Sequence, residues 1–460
     1  MRDHIFFYLN GKPQRAAGRD AFQSVSRWLR YDKRETGTKI VCEEGDCGAC
    51  TVLVGRREQG KIRYRAINSC IQFLFQMDGA QVVTVEGLAK NGELHPVQDA
   101  MVKAHGAQCG YCTPGFVVAL AAMFEEGSRD ARKALTGNLC RCTGYEPIIK
   151  AANECDASRI EPVDHRYPWP LELDDASREA VRIGNFFKPS TLEEAIQFKA
   201  AHPKCVIVQG ATDFGVWCNK RGFVPESLLS LNAIEGLGDI AHDGDAIRVG
   251  GRVSLAMFEE FITREVPALA PIMDRFGSPQ IKNAGTLAGN IANASPIADT
   301  LPFLYVAGAR LELAGRDGKR VVPIESFYRG YKTLDLAADE IITAIVIPNI
   351  GETLRLYKIS KRSHLDISSF TAAFHMQRTD GRIGSIRIAY GGVGPVVLRL
   401  PRTESFLAGK PFVRETFEEA GAIAREEITP IDDVRGSREF RLQLAENVLC
   451  KFFHDAGGAA

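Results

Sequence analysis

The chain has 460 residues, 45% hydrophobic and 25% charged, enough for sizeable cores and, as a prior, about three or four domains. Lys+Arg and Asp+Glu both number 57, so the formal net charge is zero, which argues against nucleic acid as a main partner because such binding runs on counterion release. No apolar run reaches the length of a bilayer span, and no membrane association is expected.

Residues 1–11, MRDHIFFYLNG, read as a strand running into an Asn-Gly turn and not as a signal peptide, so a cytoplasmic location is expected. That compartment keeps thiols reduced, and clustered cysteines there point to metal. Of the twelve cysteines, nine lie between Cys42 and Cys155, which sets a metal-rich front apart from an ordinary rear. Residues 1–80 mix β-type runs (His4–Leu9, 51–54 and, at the segment's edge, 81–85) with a helical spacing of Phe22, Val25 and Leu29. Residues 97–127 and 146–155 read as helices, the first with Val117, Leu120, Ala121 and Phe124 on one face. The charged stretch around Pro162, Pro168 and Pro170 reads as a linker over 157–180. Strands and helices then alternate (191–201, 206–208, 254–261), and a weaker boundary after Pro348 precedes a last α+β unit with a helix at 415–427. The fold class expected is a multidomain α+β chain.

Cys42, Cys47 and Cys50 form C-x4-C-x2-C, followed after nineteen residues by Cys70, the plant-type ferredoxin spacing of a [2Fe–2S] cluster. Gly45, Gly48 and Ala49 let such a loop wrap tightly and aim backbone N–H groups at the sulfurs. The alternative is a structural zinc site, for which this spacing is awkward. Cys109–Cys112 and Cys140–Cys142 give C-x2-C and C-x-C, which alone suit zinc or a cluster equally; each pair opens a helical stretch whose N-terminus favours an anionic centre. Cys155, Cys205, Cys218 and Cys450 lack paired spacing and are expected to be buried thiols.

The segments AQCGYCTPGF at 107–116 and GNLCRCTGYEPI at 137–148 closely resemble the two signatures of the xanthine dehydrogenase and aldehyde oxidase family, and they follow the plant-type motif in that family's order. The resemblance implies one [2Fe–2S] cluster per quartet, the second nearer a molybdenum–pterin cofactor, and it places Gln108 at a pterin-contacting position. Two further segments carry it on. VIVQGATDFG at 206–215 is a strand running into a turn with donors fit for a diphosphate, and NAGTLAGNIANASPIAD at 283–299 has the glycines of a backbone pressed against a ligand. Both resemble the family's FAD domain, of the vanillyl-alcohol-oxidase type. By that resemblance Ile207, Val208, Gln209, Gly210, Ala211, Thr212, Asp213 and Phe214, with Thr286, Leu287, Ala288, Gly289 and Asn290, line the dinucleotide. Phe276 matches the aromatic near the isoalloxazine, and Asp299, Ile342 and Lys358 match further FAD contacts.

The resemblance runs from about residue 3 to about residue 450. It implies a ferredoxin-like β-grasp domain over 1–82, a helical [2Fe–2S] domain over 83–156, the linker, an FAD-binding domain over 181–347 and a C-terminal flavoprotein domain over 348–460. It also implies a role: electrons pass from a molybdenum centre on a large molybdopterin-binding partner subunit, through two clusters, to FAD and then to NAD. A dimer of heterodimers and no catalytic base in this chain are expected. Competing expectations are the same role in an aldehyde oxidase or another azaheterocycle hydroxylase, and a zinc-stabilised binding protein without redox chemistry. The charged loop KISKRSHLDISS at 358–369, with Lys358, Lys361, Arg362 and Asp366, is the candidate segment beside the flavin that sets the choice between NAD and oxygen.

Overall fold

The computed structural model describes residues 1–351 and 353–458. The chain divides into two compact units, one made of Met1–Gly238, Ser254–Ala256 and Ser278–Thr286, the other of Asp239–Val253, Met257–Gly277 and the chain from Leu287 on.

The first unit opens with β1 (His4–Leu9), in which Ile5, Phe7 and Leu9 alternate inward. Asn10 (φ 48°) and Gly11 (φ 75°) both take left-handed backbone, so the expected turn is a two-residue hairpin into β2 (Lys12–Ala17). Helix α1 (Val25–Tyr31) starts at Ser24, whose side chain accepts the Arg27 N–H, and buries Val25, Trp28 and Leu29. Strands β3 (Thr51–Glu58), β4 (Lys61–Asn68) and β5 (Gln81–Val83) complete a sheet of order β2-β1-β5-β3-β4, with β1 and β5 parallel, the β-grasp arrangement.

The helix expected over 97–127 is two helices, α2 (Pro96–Lys103) and α3 (Thr113–Glu125). The break follows from His105 (φ 51°) and Gly110 (φ 79°) in left-handed backbone, and Pro114 in the first turn of α3 sets the new start. Helix α3 is buried from Gly115 to Met123 all round, not on one face, and Phe124 lies at its half-buried margin. Helix α4 (Glu146–Glu154) matches its expectation. Residues 157–180 are not a bare linker: they carry short helices at Val163–Arg166 and Leu171–Arg178 and bury Val163, Leu173 and Ala176. Prolines and charges marked that stretch as open chain, but its few apolar residues dock it.

A four-stranded sheet (Val181–Ile183, Phe186–Lys188, Leu228–Leu229, Val206–Ile207) completes the unit. Its Val181, Ile183, Phe186, Val208, Phe214 and Leu228 share one apolar core with Ile5, Phe7, Trp28 and Phe75 of the β-grasp sheet. A buried charge cluster sits beside that core. Asp78 accepts both Arg2 guanidinium nitrogens (2.9 Å each), the Phe6 N–H (2.8 Å) and Lys188 Nζ (2.5 Å), and Lys188 is 1% exposed.

In the second unit, strands Ile240–Asp243, Ala246–Gly250, Ile341–Pro348, Arg310–Gly315 and Gly318–Pro323 form an antiparallel sheet. A second antiparallel sheet (Thr353–Ile359, Phe370–Thr379, Arg382–Gly391, Leu398–Arg399) packs with helices Arg414–Glu426 and Arg438–Asp455 around Phe374, Tyr390, Phe417 and Phe452.

Removing one partner from a buried charge cluster strands the others. Asp78→Ala, which leaves buried Lys188 without its carboxylate and Arg2 with that of Glu179 alone, is expected to destabilise the first unit by about 3–5 kcal/mol. A urea midpoint measured beside the parent chain checks this; an unchanged midpoint contradicts it.

Candidate cofactor sites

The first cysteine loop lies between α1 and β3, and Cys70 follows the end of β4. Cys50 and Cys70 are each 2% exposed, while Cys42 and Cys47 are half-buried. Glu43, Gly45 and Gly48 take left-handed backbone (φ 54°, 84° and 68°), which curls the loop and turns its N–H groups inward. The Glu44 and Cys47 N–H groups reach the Cys42 sulfur, and the Ala49 N–H reaches that of Cys47. The thiols meet in pairs, Cys42 with Cys47 and with Cys70, and Cys50 with Cys70. Among the described residues no group of three or more His, Cys, Asp or Glu side chains stands ready to hold a single metal ion. Hydrogen bonds to Cys47 and then Cys70 hold the Cys42 thiol far below its ordinary value, whereas Cys42 pushes up Cys47 and Cys70 ahead of any effect of burial. Four thiolates at this spacing repel one another, so a cationic core is what lets all four ionise. Paired thiols with inward N–H groups fit an iron–sulfur centre.

The second quartet is assembled from two loops. Cys112 caps α3, and Cys140 and Cys142 precede α4. Cys142 and Cys109 sulfurs lie 3.6 Å apart and Cys112 faces Cys140, so the quartet is assembled as two pairs, each drawn from both loops. Burial, and then Cys140, push the Cys112 thiol up to about 12. Unlike the first quartet this one opens to solvent: Cys109 and Cys142 are exposed, as are Gln108, Tyr111 and Leu139. Gln108 sits in a loop, not at a helix start. Of the leftover cysteines Cys155 and Cys205 are buried as expected, but Cys218 and Cys450 are only half-buried because each sits on a helix near its surface.

The two cysteine loops touch. The Leu139 N–H donates to the Cys47 carbonyl (3.0 Å), and Asn138 Nδ2 donates to the Gly48 carbonyl (3.1 Å). Gln280 Nε2 donates to Asn138 Oδ1 (2.8 Å) from a short helix, Pro279–Ala284, that leads into the second glycine segment. A Cβ on Gly48 would run into the Gly137 carbonyl and Asn138, which is why glycine stands there.

The first glycine turn is held by the β-grasp domain. Gln72 Nε2 donates to the Gly210 carbonyl (2.6 Å) and Gln76 Nε2 to that of Gln209 (3.1 Å). Gly210 lies so close to Ala284 and Gly285 that a Cβ would collide with the Ala284 carbonyl, and Thr212 Oγ1 lies beside Gly285. Ile207 ends a strand; Val208, Ala211 (φ 51°) and Phe214 are buried; Asp213 precedes helix Phe214–Arg221. Thr286, bridged to Ser254, belongs to the same unit. Crossed turns of this kind, with bare backbone facing bare backbone, fit a bound diphosphate. Asn219, on the helix that follows the turn, donates to the Glu43 (3.0 Å) and Cys70 (2.9 Å) carbonyls, tying this turn to the first cysteine loop.

The remaining sequence-derived FAD residues lie in the second unit. Leu287, Ala288, Gly289 and Asn290 open a short helix, and Asn290 Oδ1 accepts Thr300 Oγ1 at 2.6 Å. Phe276 is half-buried at a helix end, and the Ile342 carbonyl presses on Gly251. Asp299 and Lys358 are brought together as a buried ion pair (2.7 Å) that also engages Ser368 Oγ (2.6 Å) and the Asp366 carbonyl (3.1 Å). Lys358 is thus a buried cation and not a solvated one, while Lys361 and Arg362 stay exposed on the loop surface. Sequence reasoning passed over Asn138, Gln280, Gln72, Gln76, Asn219 and Ser368. Uncharged side chains of this kind have no spacing signature.

Three segments of the chain match known domain families. Residues 84–153 match the model of a [2Fe-2S] binding domain, 180–350 that of the FAD binding domain in molybdopterin dehydrogenase, and 355–456 that of the CO dehydrogenase flavoprotein C-terminal domain. The xanthine dehydrogenase of Blastobotrys adeninivorans is 30% identical over 98% of this chain and 40% of its own length. That of Drosophila subobscura is 30% identical over 90% and 36%, and aldehyde oxidase 1 of Bos taurus 29% over 98% and 39%. The chain therefore spans about two fifths of these curated relatives. Among solved structures, a chain of quinoline 2-oxidoreductase from Pseudomonas putida 86 superposes with a TM-score of 0.55 and 27% identity, covering 58% of this chain and 95% of that one. A chain of the carbon monoxide dehydrogenase of Hydrogenophaga pseudoflava (TM-score 0.56, 24% identity, 59% and 96% covered) shares the fold. No helix among the described residues is long and apolar enough to cross a membrane. The motifs, the paired thiol loops and these matches together make the chain similar to the iron–sulfur and FAD portion of molybdenum hydroxylases.

Proposed function

We propose that this chain is the electron-transfer subunit of a xanthine dehydrogenase, working with a large molybdopterin-binding subunit that oxidises hypoxanthine and xanthine to urate. In this reading Cys42, Cys47, Cys50 and Cys70 hold one [2Fe–2S] cluster, and Cys109, Cys112, Cys140 and Cys142 hold a second. The segments at 207–214 and 286–290, with Phe276, Asp299, Ile342 and Lys358, bind FAD, and Gln108 faces the partner's pterin. Clusters of this type exchange single electrons, and a flavin links single-electron to hydride chemistry with NAD. The chain's own residues supply position, insulation and electrostatics: buried Cys50 and Cys70 exclude water, inward N–H groups offset negative charge, and exposed Cys109 and Cys142 leave one end open to a partner. The observation that carries the reading is the run of direct contacts 139–47, 138–48, 219–70 and 72–210, which joins all three sets of loops in one unit. Similarity to xanthine dehydrogenases over 90–98% of this chain supports the purine reading.

Anaerobically purified protein is expected to contain about four irons per chain with acid-labile sulfide and to give two paramagnetic signals on reduction. Cys47→Ser should remove only the first signal and Cys142→Ser only the second. Zinc without iron, or iron for one cluster, contradicts the reading.

The chain is expected to copurify with a larger molybdopterin-binding chain as a dimer of heterodimers, and residues 105–116 and 138–147 should gain hydrogen-exchange protection on association. Unchanged exchange there places the partner elsewhere.

Reduced complex is expected to be reoxidised faster by NAD than by oxygen in stopped flow; the reverse order overturns the acceptor. Lys358→Ala strips Asp299 of its buried cation and should lower FAD content. Normal FAD content would remove Lys358 from the flavin site.

A further inference from the structure

Two peptide units of the first cysteine loop are held at both ends. In the unit joining Glu43 to Glu44, the N–H reaches the Cys42 sulfur while the carbonyl accepts Asn219 Nδ2 at 3.0 Å. In the unit joining Gly48 to Ala49, the N–H reaches the Cys47 sulfur while the carbonyl accepts Asn138 Nδ2 at 3.1 Å beside two local donors, the Thr51 N–H at 3.1 Å and Thr51 Oγ1 at 2.6 Å. A peptide is planar, with its C=O and N–H pointing in opposite directions, so a donor that fixes the carbonyl outward fixes the N–H inward. Both of these units follow left-handed residues, Glu43 (φ 54°) and Gly48 (φ 68°), and at Gly48 the missing Cβ leaves the following peptide free to take either orientation unless it is held.

Neither asparagine belongs to the loop it restrains. Asn219 sits on the helix that follows the first glycine turn, and it also holds the Cys70 carbonyl at 2.9 Å. Asn138 sits in the loop of the second quartet, 2% exposed, and is itself held by Gln280, 1% exposed. A carboxamide suits the task because it donates a directed hydrogen bond without adding charge beside an anionic centre.

We propose that Asn219 and Asn138 are positioning residues that set the reduction potential of the first cluster, each tying that potential to the segment that holds a neighbouring cofactor. N–H donors to the sulfurs stabilise the more negative, reduced cluster, so a freed peptide lowers the potential. The inference rests on the reading of Cys42, Cys47, Cys50 and Cys70 as cluster ligands.

The test is a redox titration of the holo complex, followed by electron paramagnetic resonance, on Asn219→Ala, Asn138→Ala and Asn185→Ala. Asn185 makes the same kind of bond, to the Pro225 carbonyl at 3.0 Å, away from the cysteine loops, and serves as the control. The signal that Cys47→Ser abolishes is the one followed. Its potential should fall in the Asn219 and Asn138 variants, enough to cut the ratio of reduced to oxidised cluster several-fold at fixed ambient potential, where tenfold corresponds to about 59 mV. Asn138→Gln should restore part of the shift, and Asn185→Ala should show none. An unshifted potential in both alanine variants overturns the proposal, as does an equal shift in the control. If one alanine variant loses the first cluster, the other decides. Absence of any [2Fe–2S] signal in the parent protein would instead fail the underlying reading, so the two failures are distinguishable.

Discussion

The carbonyls of Cys47 and Gly48 accept the Leu139 N–H and the Asn138 carboxamide, and this short seam is where the two cysteine loops meet. Leu53, Tyr64 and Ala66 of the β-grasp sheet share one apolar core with Phe116, Leu120 and Ile148 of α3 and α4, so what the seam adds is contact between the cysteine loops themselves. With it, the peptide that follows one ligand of the first quartet lies against the peptide that precedes one ligand of the second. Intimacy at the seam is enforced by size: Gly48 against Gly137 and Gly115 against the Gly48 carbonyl leave no room for a side chain. One-electron relays need short gaps between centres, and backbone-to-backbone contact is the closest approach two loops can make.

Burial is graded along the same line. Cys50 and Cys70 are sealed, Cys42 and Cys47 half-buried, Cys109 and Cys142 open. The sealed pair Cys50 and Cys70 packs with Ile71, Val216 and Ile281 in a small apolar cluster of its own. The open quartet occupies the end of the unit where Gln108, Tyr111 and Leu139 are also exposed. In the proposed relay the insulated site is the inner one and the accessible site is the one left open to a partner. The seam, the Asn219 bonds and the Gln72 bond follow that order.

The parts legible in the sequence were those dictated by chemistry that only certain residues can perform. Eight cysteines stood out because ligand spacing is constrained, and Asn10-Gly11 because both residues must take left-handed backbone. Glycines 48, 210 and 285 announced close approaches without naming the partner. Lys358 was visible as a cation, but not that Asp299 and Ser368 bury it, since those residues lie far away or carry no pattern. Residues 97–127 read as one helix because apolar spacing persists across a turn that only backbone geometry interrupts. The apparent linker was misleading because Leu173 and Ala176 are too few to register against its charges, yet enough to dock it. Least visible were Asn138, Asn219, Gln72 and Gln280, whose donors join segments 90 or more residues apart.

The central claim is that the two cysteine quartets form adjoining centres of one relay, and the spin–spin interaction between them tests it most directly. In fully reduced protein at low temperature, the two [2Fe–2S] signals should relax each other, with splitting or enhanced relaxation that disappears from one signal when Cys142→Ser removes the other. Two signals that saturate independently, and are unchanged by that substitution, would contradict it.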